Sequence, residues 1–381
     1  IGQIPEDWSI SRLKYISNLR TGNSLNENQK KLYESIDDND ISYISTNNID
    51  VSNNHVEYKT GLRIPRSENK FTLAPKNSVL LCVEGGSAGR KVTFIDREVF
   101  YVNKLCNIIS KYNTKYIYYY LQSNIFKDEF NLNISGLIGG VSTGKLKNFF
   151  IPDMSIDEQK KIADYLDDKT KKIDSLIENI KKKIELLGEQ RSALINQVVT
   201  KGLDPNVEMK DSGIDWIGEI PKHWDIVRIS YLYNEKSVKG FENEQMLSVM
   251  RDFGVVRRDD FINHNVIPED LSNYKLVEVN DLVLNKMKTW MGSLGVSRYY
   301  GIVSPAYYTF TPNHNHINEY LNHLFRSFIY INIYASLSKG IRPDQWDLPV
   351  DKFKILKIPI PPRSEQKTIA DYLDKKLNKI Y

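Results

Sequence analysis

The chain has 381 residues, enough for two domains that each bury a core. Hydrophobic residues make up 41% and charged residues 26%, as in ordinary globular proteins, and no apolar run reaches the roughly 18 residues that a membrane-spanning helix needs. The formal net charge of +4 is too small to indicate a nucleic-acid partner by itself. Since no secretory signal is recognisable either, we expect a cytoplasmic protein with no membrane contact, in which Cys82 and Cys106 are buried free thiols.

The first 150 residues alternate short apolar runs with polar loops, a pattern that is typical of β-strands. Strands are predicted at residues 41–44 and 79–83. A helix is predicted at residues 115–126, where apolar side chains keep helical spacing.

A long helix is predicted between the two halves of the chain. Ser155 and Glu158 form a capping-box pattern that begins it, and Gly202 is expected to end it. At 1.5 Å per residue it would extend roughly 65 to 70 Å. Apolar residues recur along it at steps of four and three, which is typical of a coiled-coil seam that must pack against another helix. The seam includes Ile173, Ile177, Ile180, Ile184, Leu187 and Leu194.

Residues 202–361 follow the plan of the first domain. Strands are predicted at 281–284 and 306–310, and a helix at 317–327. A second long helix is predicted to begin near residue 362 and to pack antiparallel against the first. The predicted fold class is therefore mixed α/β, with two similar α/β domains separated by long helices that form an antiparallel coiled coil.

The sequence contains an internal repeat. The pattern Ile-Gly-x-Ile-Pro-x-x-Trp-x-Ile-x-Arg-x-x-Tyr occurs at 1–15 and again at 217–231. The pattern Ile-Pro, followed by Glu-Gln-Lys-x-Ile-Ala-Asp-Tyr-Leu-Asp, occurs at 151–167 and again at 358–374. A period of roughly 210 residues is too long for a solenoid unit, so a domain and the helix after it are duplicated. The predicted segments are a domain at 1–152, a helical spacer at 153–201, a second domain at 202–361 and the start of a second helical spacer at 362–381.

One segment resembles a phosphate-binding loop. Residues 139–145 have its glycine and lysine spacing, but Leu146 stands where a hydroxyl would bind Mg²⁺, and the second domain has no such segment. A polar loop that contacts a surface or a DNA backbone is the better interpretation of Ser142, Thr143 and Lys145.

No catalytic or metal-binding set is recognised. Asp153, Glu158 and Lys160 resemble the carboxylate and lysine set of a nuclease, but the repeat has Ile360 in place of Asp153. The His-x-His pair at 314–316 has no third ligand at a supporting spacing, so a surface turn is the better interpretation. We therefore predict a chain with no catalytic residue, metal or cofactor of its own.

Polar loops at the ends of predicted strands remain as candidate binding sites. Asn and Gln can pair with adenine, and Arg and Lys with guanine, while Trp can pack on a sugar or base. Ordinary solvated loops contain the same residue types, so the prediction depends on their occurrence in both domains. The lysines are expected to contact phosphates, and Arg342 a guanine. The candidate DNA-binding residues are Thr46, Asn47, Asn48, Arg90, Lys91, Ser142, Thr143, Lys145, Arg251, Lys286, Lys288, Trp290, Lys339, Arg342 and Gln345.

Five motifs occur in a fixed order along the chain. They are Trp-Ile-Gly-Glu-Ile-Pro-x-x-Trp at 216–224, Asn-Lys-Met-Lys-x-Trp at 285–290, Ser-Pro-Ala-Tyr at 304–307, Lys-Gly-Ile-Arg at 339–342 and Ile-Pro-x-Pro-Pro-x-x-Glu-Gln at 358–366. In this order they resemble the specificity subunit of type I restriction-modification enzymes. The resemblance implies that each domain is a target recognition domain, which reads one half of a divided double-stranded DNA target in the major groove. It also implies that the helices set the length of the unread spacer.

The resemblance further implies the partners. Two methyltransferase subunits would bind the helices, and two restriction motor-nuclease subunits would join for cleavage, with S-adenosylmethionine, ATP and Mg²⁺ bound by these partners. The second helix is short for the family pattern, so two alternatives stay open. One is a truncated or half-type specificity protein that acts as a dimer. The other is a scaffold whose two domains bind polypeptides instead of DNA.

Overall fold

The computed structural model describes residues 3–34, 40–136, 138–261, 268, 270–340 and 346–377. The chain divides into two compact units, Ile1–Glu178 and Asn179–Tyr381, and each has hydrophobic clusters of its own. The division falls inside one helix, so each unit consists of an α/β domain and part of that helix. None of the helices in the described ranges is long and apolar enough to cross a membrane.

The elements follow one another in a similar order in both units. Those before the long helix are β1 (Ser9–Arg12), α1 (Leu13–Ile16), β2 (Ser17–Thr21), α2 (Glu27–Leu32), β3 (Ile41–Ile44), β4 (Arg63–Ile64), β5 (Leu73–Ala74), β6 (Ser78–Cys82), β7 (Val92–Ile95), β8 (Val99–Tyr101), β9 (Leu105–Ser110), α3 (Thr114–Tyr120), α4 (Asn124–Leu132), α5 (Thr143–Leu146) and β10 (Phe150–Asp153). The long helix is α6 (Ile156–Lys201). Those after it are β11 (Met209–Asp211), β12 (Glu219–Pro221), β13 (Asp225–Arg228), α7 (Ile229–Leu232), β14 (Tyr233–Lys236), β15 (Leu247–Met250), β16 (Gly254–Arg257), β17 (Lys275–Val277), β18 (Leu282–Asn285), β19 (Leu294–Val296), β20 (Gly301–Val303), β21 (Tyr307–Pro312), α8 (Asn318–Phe325), α9 (Phe328–Leu337), α10 (Val350–Lys354), β22 (Lys357–Ile360) and α11 (Arg363–Leu377).

The two domains share one sheet topology. Four antiparallel strands lie in the order β2-β9-β6-β7 in the first domain and β14-β21-β18-β19 in the second. In each domain a separate antiparallel pair joins the strand that precedes α1 or α7 to the last strand of the domain, β1 with β10 and β13 with β22. The prediction of two similar α/β domains is confirmed. The predicted strands correspond to β3, β6, β18 and β21.

The helix predicted at 115–126 is wrong in one respect, because the structure has two helices there. Ser123 Oγ accepts a hydrogen bond from Phe126 N at 3.2 Å and so begins α4 as a separate helix. The second domain has the same break, since α8 ends at Phe325 and α9 begins at Phe328. In the first domain the helical periodicity continued across the break and concealed it, whereas the prediction for the second domain, 317–327, matches α8 and misses α9.

The long helix α6 begins and ends where its sequence signals indicate. Glu158 N donates to Ser155 Oγ at 3.2 Å, and the Ser155 hydroxyl donates to Glu158 Oε2 at 3.4 Å. At the other end Gly202 has a φ of 78°, a left-handed conformation that residues with a Cβ rarely adopt. The helix therefore ends at Lys201.

A repeated contact fastens each domain to the helix that follows it. Trp8 Nε1 donates to Glu158 Oε1 at 3.2 Å, and Trp224 Nε1 donates to Glu365 Oε1 at 3.1 Å. We call this contact the Trp–Glu clasp. His223 Nε2 also lies 2.7 Å from Glu365 Oε2. The clasp explains why both copies of the repeat keep Trp in the first segment and Glu in the second.

The residue after each of these glutamates is a buried glutamine. Gln159 Nε2 donates to Met154 O at 3.1 Å, and Gln366 Nε2 donates to Pro361 O at 2.8 Å. Gln366 Oε1 also accepts from Ile317 N at 2.8 Å. Each amide thus satisfies backbone groups where the chain enters a helix, which water cannot do because the side chains are buried.

The seam of α6 has buried ends and an exposed middle. Ala163 is buried in the first unit and Val198 in the second, Leu187 is half-buried, and Leu194 packs against the core of the second unit. Four seam residues between the ends are exposed: Ile173, Ile177, Ile180 and Ile184. The packing of another helix over them stays a prediction.

Helix α11 runs antiparallel to the last turns of α6. A Cβ at Gly202 would lie 3.1 Å from Glu365 Oε1, which places the end of α6 beside the start of α11. At the other end of this contact, Gly188 and Arg191 line the same groove as Leu377. The direction is the one that the repeat indicates.

Both cysteines are buried and free, as predicted. Burial raises the pKa of Cys106 to about 12 and also raises the pKa of Cys82. Both thiols therefore stay protonated near neutral pH and are poor nucleophiles.

We expect Gln366→Leu to destabilise the second unit, because Ile317 N and Pro361 O lose their hydrogen bonds. The cost should be about 1 to 3 kcal/mol for each buried polar group left without a partner. Most of the tryptophans lie in this unit, so tryptophan fluorescence during urea unfolding reports on it. Lys367→Gln is the control, because Lys367 and its partner Asp371 are exposed. An unchanged urea midpoint for Gln366→Leu would contradict this role of the amide.

Candidate nucleic-acid interface

Two loops of the second domain meet near the end of β18. The first, residues 286–288, leads from β18 into a 3-10 helix at Thr289–Met291. The second is closed by Lys339 and Asp347, whose backbone groups exchange hydrogen bonds of 3.0 and 2.9 Å. Trp290 and Trp346 connect the loops, with ring centroids 4.9 Å apart. The structure thus brings together residues that are far apart in the sequence.

A cluster of cations lies beside these loops. Lys286 Nζ is 4.5 Å from the centroid of the Tyr308 ring, and Lys275 Nζ is 5.9 Å from the same centroid. Burial lowers the pKa of Lys275, and the charge of Lys286 lowers it further. The carboxyl group of Asp347 is also close to Lys286, and burial raises its pKa. Two ammonium groups at one ring create a positive potential that a phosphate oxygen would stabilise.

Lys288 lies at the exposed tip of the first loop. The neighbouring Thr289 is buried and donates its hydroxyl to Asn285 O at 2.7 Å. The turn closes at Gly292, where φ is 98° and a Cβ would lie 2.9 Å from Ile331 Cδ1. Because glycine alone fits this position without strain, the backbone of the loop is defined and its tip faces solvent.

Arg251, another predicted residue of the second domain, is not part of this cluster. Arg251 is exposed on the turn between β15 and β16, where its carbonyl oxygen accepts from Arg326 Nη2 at 2.9 Å. It lines a different groove, together with Arg191 and Arg326. Arg342 and Gln345 lie outside the described residues.

In the first domain, the predicted group at Thr46–Asn48 forms a 3-10 helix after β3. The side-chain amide of Asn48 is used within the loop. Its Oδ1 accepts from Ser45 N, and its Nδ2 donates to Thr60 O at 2.9 Å. Lys91 Nζ donates to Thr46 O at 2.6 Å and so holds this segment against the β6–β7 turn. Asn47 alone of this 3-10 helix is exposed and faces outward.

The remaining predicted residues of the first domain lie at or near a cleft of about 540 Å³. Ser142 and Thr143 line it, and Lys145 Nζ donates to Ser135 Oγ at its edge. A Cβ at Gly140 would lie 2.7 Å from Val83 O, so only glycine lets the backbone at this position pass close to the end of β6. Close packing of two backbones therefore explains the glycine at 140, within the segment that resembles a phosphate loop.

Arg90 lies on the turn between β6 and β7 beside this cleft. It is exposed, and its guanidinium donates to Gly86 O within the same turn. Because the Arg90 side chain is exposed, it can reach a ligand outside the domain.

Sequence reasoning missed four residues of the second-domain cluster: Lys275, Tyr308, Trp346 and Asp347. Trp346 and Asp347 follow directly after the predicted Gln345, so an aromatic residue next to a polar loop was an available signal. Lys275 and Tyr308 lie on strands β17 and β21. Nothing in their local pattern indicates that the two strands place them beside Lys286.

The segment around the histidine pair at 314–316 exposes Asn313 and Asn315, as a surface turn does, but its two histidine rings are packed. His314 and His316 are half-buried, and the His314 ring packs edge-on against Tyr233 with centroids 4.9 Å apart. His314 Nδ1 accepts from His316 N at 3.1 Å, and burial lowers the pKa of His314 to about 4. Both rings therefore belong to the packing of this turn. Among the described residues, no three His, Cys, Asp or Glu side chains are grouped as metal ligands.

Known proteins with a similar sequence share one description. A sequence model of the type I restriction modification DNA specificity domain matches residues 5–186 and 252–380. The chain is 24% identical over 402 residues to the type I restriction enzyme MjaX specificity subunit of Methanocaldococcus jannaschii, covering 98% of this chain and 87% of that protein. It is 24% identical over 246 residues to the MjaVIII specificity subunit of the same organism, covering 63% of this chain and 52% of that protein.

Two solved structures have a similar fold. One is a chain from work on complex assembly and conformational transition of the type I R-M system, with a TM-score of 0.63, 14% identity, and coverage of 99% of this chain and 92% of that one. The other is the HsdS subunit from Thermoanaerobacter tengcongensis, with a TM-score of 0.52, 14% identity, and coverage of 99% and 91%. At this identity the likeness concerns the fold alone.

We expect Lys288→Ala to weaken binding of the chain to duplex DNA of any sequence, because an exposed lysine at a loop tip is suited to a phosphate. Loss of one phosphate contact should reduce the slope of log affinity against log salt by about one. Affinity is measured by fluorescence anisotropy over a salt series. Lys222→Ala serves as the matched control, because Lys222 is exposed but paired with Glu208 at 2.7 Å. Equal salt slopes for Lys288→Ala and the parent would remove Lys288 from the interface.

Proposed function

This chain belongs to the type I restriction-modification DNA specificity family, and from that premise we propose that each of its domains reads one half of a divided DNA target. Membership makes it the DNA sequence-recognition subunit of such a system. The observation that carries the proposal is a contrast between the domains. They share the four-stranded sheet and the Trp–Glu clasp, but the loops after β6 and β18 differ in sequence and structure. A constant scaffold with different loops is what two different half-sites require.

Within the second domain, the cluster divides by chemistry. Lys286, Lys288 and Lys339 carry charges suited to phosphates, which fix position without reading sequence. The Trp290 and Trp346 rings offer flat apolar surface beside these charges, suited to a sugar or the methyl group of thymine. We assign the lysines to the DNA backbone and the paired indoles to the edge of the half-site.

We further assign catalysis to the partners of this chain. The methyltransferase subunits, two in number, would bind S-adenosylmethionine, and two motor-nuclease subunits would use ATP and Mg²⁺. A cytoplasmic location follows from a role on cellular DNA. The supporting observations are that neither thiol is activated and that the described acidic residues do not gather as metal ligands.

The purified chain is expected to transfer no methyl group to DNA when it is supplied with tritiated S-adenosylmethionine. Addition of the modification subunit of the same system is the positive control and should restore incorporation. Incorporation by the chain alone, unchanged by further purification, would show that the chain is itself a methyltransferase.

The helix α6 is proposed to set the unread gap between the half-sites. Inserting four residues, roughly one turn, between Lys181 and Leu187 lengthens the helix by about 6 Å, close to two base-pair steps of 3.4 Å. Both half-sites should be kept while the gap grows by one or two base pairs, because each domain carries its own reading loops. Sequencing of methylated sites in DNA modified by the assembled complex gives the motif.

A substitution series in the same segment is the control for the insertion. Lys182→Gln and Lys183→Gln change exposed charges without changing the length of α6, and the gap should stay as in the parent. A changed half-site with an unchanged gap in the insertion variant would show that α6 is not the ruler.

A further inference from the structure

Burial in the core explains why some residues are the same in both copies of the internal repeat, but it does not explain others. Some residues common to both copies are buried in each, such as Ile151 and Ile358, and packing explains why they are repeated. Arg12 and Tyr15 are also repeated, as Arg228 and Tyr231, and all four are exposed. The exposed fractions of Tyr15 and Tyr231 are 60% and 66%. We call each pair an Arg–Tyr patch.

The two Arg–Tyr patches are built on the same backbone frame. Arg12 lies opposite Phe150 in the β1–β10 pair, and Arg228 lies opposite Lys357 at the equivalent position of the β13–β22 pair. The turn that carries each tyrosine is also anchored alike: Leu13 N donates to Phe149 O, and Ile229 N donates to Leu356 O, both at 3.0 Å. The patches therefore present the same side chains from equivalent positions of their own domains.

Contacts within the chain do not account for the repeated arginine. Arg12 Nη1 donates to Asn148 Oδ1 at 3.2 Å, and its guanidinium lies 5.4 Å from the centroid of the Phe150 ring. The second domain has Ile355 and Lys357 at these two places, so Arg228 cannot make either contact. The arginine is kept although its internal partners have changed.

No contact among the described residues explains both repeated tyrosines, because Lys14 Nζ lies 5.1 Å from the centroid of the Tyr15 ring but the second copy has Ser230 in place of Lys14. Within the described part of the chain, neither hydroxyl has a hydrogen-bond partner, and both rings are mostly in solvent. Nearby exposed positions of the same segment have diverged, since Ser9 corresponds to Asp225 and Asp7 to His223. Recent duplication alone would have kept these neighbours too.

The exposed lysine and aspartate that are repeated on the helices have a local explanation. Lys160 bonds Asp164 one turn along α6, and Lys367 bonds Asp371 in the same way on α11. Such pairs stabilise a helix by themselves, so their repetition does not indicate a ligand. No such helix pairing explains why the residues of the Arg–Tyr patches are repeated.

We propose that the two Arg–Tyr patches are two copies of one docking surface, each of which binds one modification subunit of the same restriction-modification system. This inference rests on the proposed function, which gives the chain a partner that is present twice. A surface that is kept while the reading loops differ must bind something common to both domains, and arginine and tyrosine are enriched among the residues that dominate protein interfaces.

Exposed apolar side chains beside each patch favour a protein over a DNA backbone as that common partner. Ile10 and Phe150 flank Arg12 and are 51% and 44% exposed, and Ile355, next to the Leu356 anchor, is 62% exposed. A protein surface would bury these groups favourably, whereas a row of phosphates would not cover them.

The test combines paired substitutions with a count of bound subunits. The full chain carries Arg12→Ala with Tyr15→Ala, or Arg228→Ala with Tyr231→Ala, or all four changes. Each variant is titrated with the purified modification subunit, and the mass of the complex is followed by sedimentation. Ser9→Ala with Asp225→Ala is the matched control, because these residues lie on the same two strands and are exposed but not repeated.

Each single-patch variant should bind one modification subunit at concentrations where the parent and the control bind two, with the second site weakened by about tenfold or more. The four-fold variant should bind none. The circular dichroism spectrum and the urea midpoint of each variant should match those of the parent, because all four side chains are exposed. If either measurement differs, the single substitutions Tyr15→Ser and Tyr231→Ser replace the double substitutions in the same titration.

Two results would overturn the inference while leaving the proposed function intact. One is a variant that still binds two modification subunits with the parent's affinity. The other is unchanged subunit binding with weaker binding of the chain to duplex DNA at matched salt, which would assign the patches to phosphates. A parent chain that binds no modification subunit would instead contradict the proposed function itself.

Discussion

The hydrogen bond between an indole and a helix carboxylate is the contact on which both halves of the molecule depend. Trp224 is fully buried, so its N–H must find a partner inside the protein, and Glu365 in the first turn of α11 supplies it. A carboxylate at this end of a helix is also favoured by the helix dipole. The clasp therefore ties the entry strand of a domain to the start of its helix. Because Trp8 and Glu158 repeat the contact, one local solution is used for both domains.

The repeat also shows which contacts can change partners. Asp167 accepts from Tyr119 Oη at 2.6 Å and pairs with Lys115, whereas Asp374 at the equivalent place of the second copy lies 2.8 Å from His323 Nε2. The hydrogen bond from His323 holds the pKa of Asp374 below its usual range. What is kept is a carboxylate with a donor on the neighbouring helix, and the identity of the donor is free to vary. The Trp–Glu clasp has not varied in this way.

Much of the fold could be predicted from the sequence, because its signals are local or repeated. The ends of α6 depend on Ser155, Glu158 and Gly202, which lie at the ends themselves. The break between α3 and α4 was missed because Ser123 acts through one capping hydrogen bond, which does not disturb the periodicity. The exposed isoleucines of α6 show what heptad spacing cannot predict. The spacing predicts an apolar stripe on the helix, but it does not identify the surface that packs against the stripe.

The candidate site could be predicted only in part, because residue type does not reveal whether a polar group is already satisfied. Asn48 and Lys91 have the chemistry of DNA-contacting residues, yet Asn48 is bonded within its own loop and Lys91 is bonded to the backbone of Thr46. Trp346 was missed because its contact with Trp290 exists only after the two loops have folded together. The resemblance to a known family indicated what these loops bind. The chemical properties of the individual residues did not.

The arrangement of the second-domain loops separates residues that shape the backbone from residues whose side chains are exposed. Gly292 and Thr289 define the backbone of the first loop, and the paired backbone groups of Lys339 and Asp347 close the second. Lys288 is exposed at the tip of the first loop, so replacing its side chain should cost only about 0.5 kcal/mol of stability or less. The Lys339 side chain is likewise exposed, while its contribution to loop closure comes from the backbone, which any residue except proline provides. These exposed side chains can therefore be exchanged without a change in the backbone that carries them.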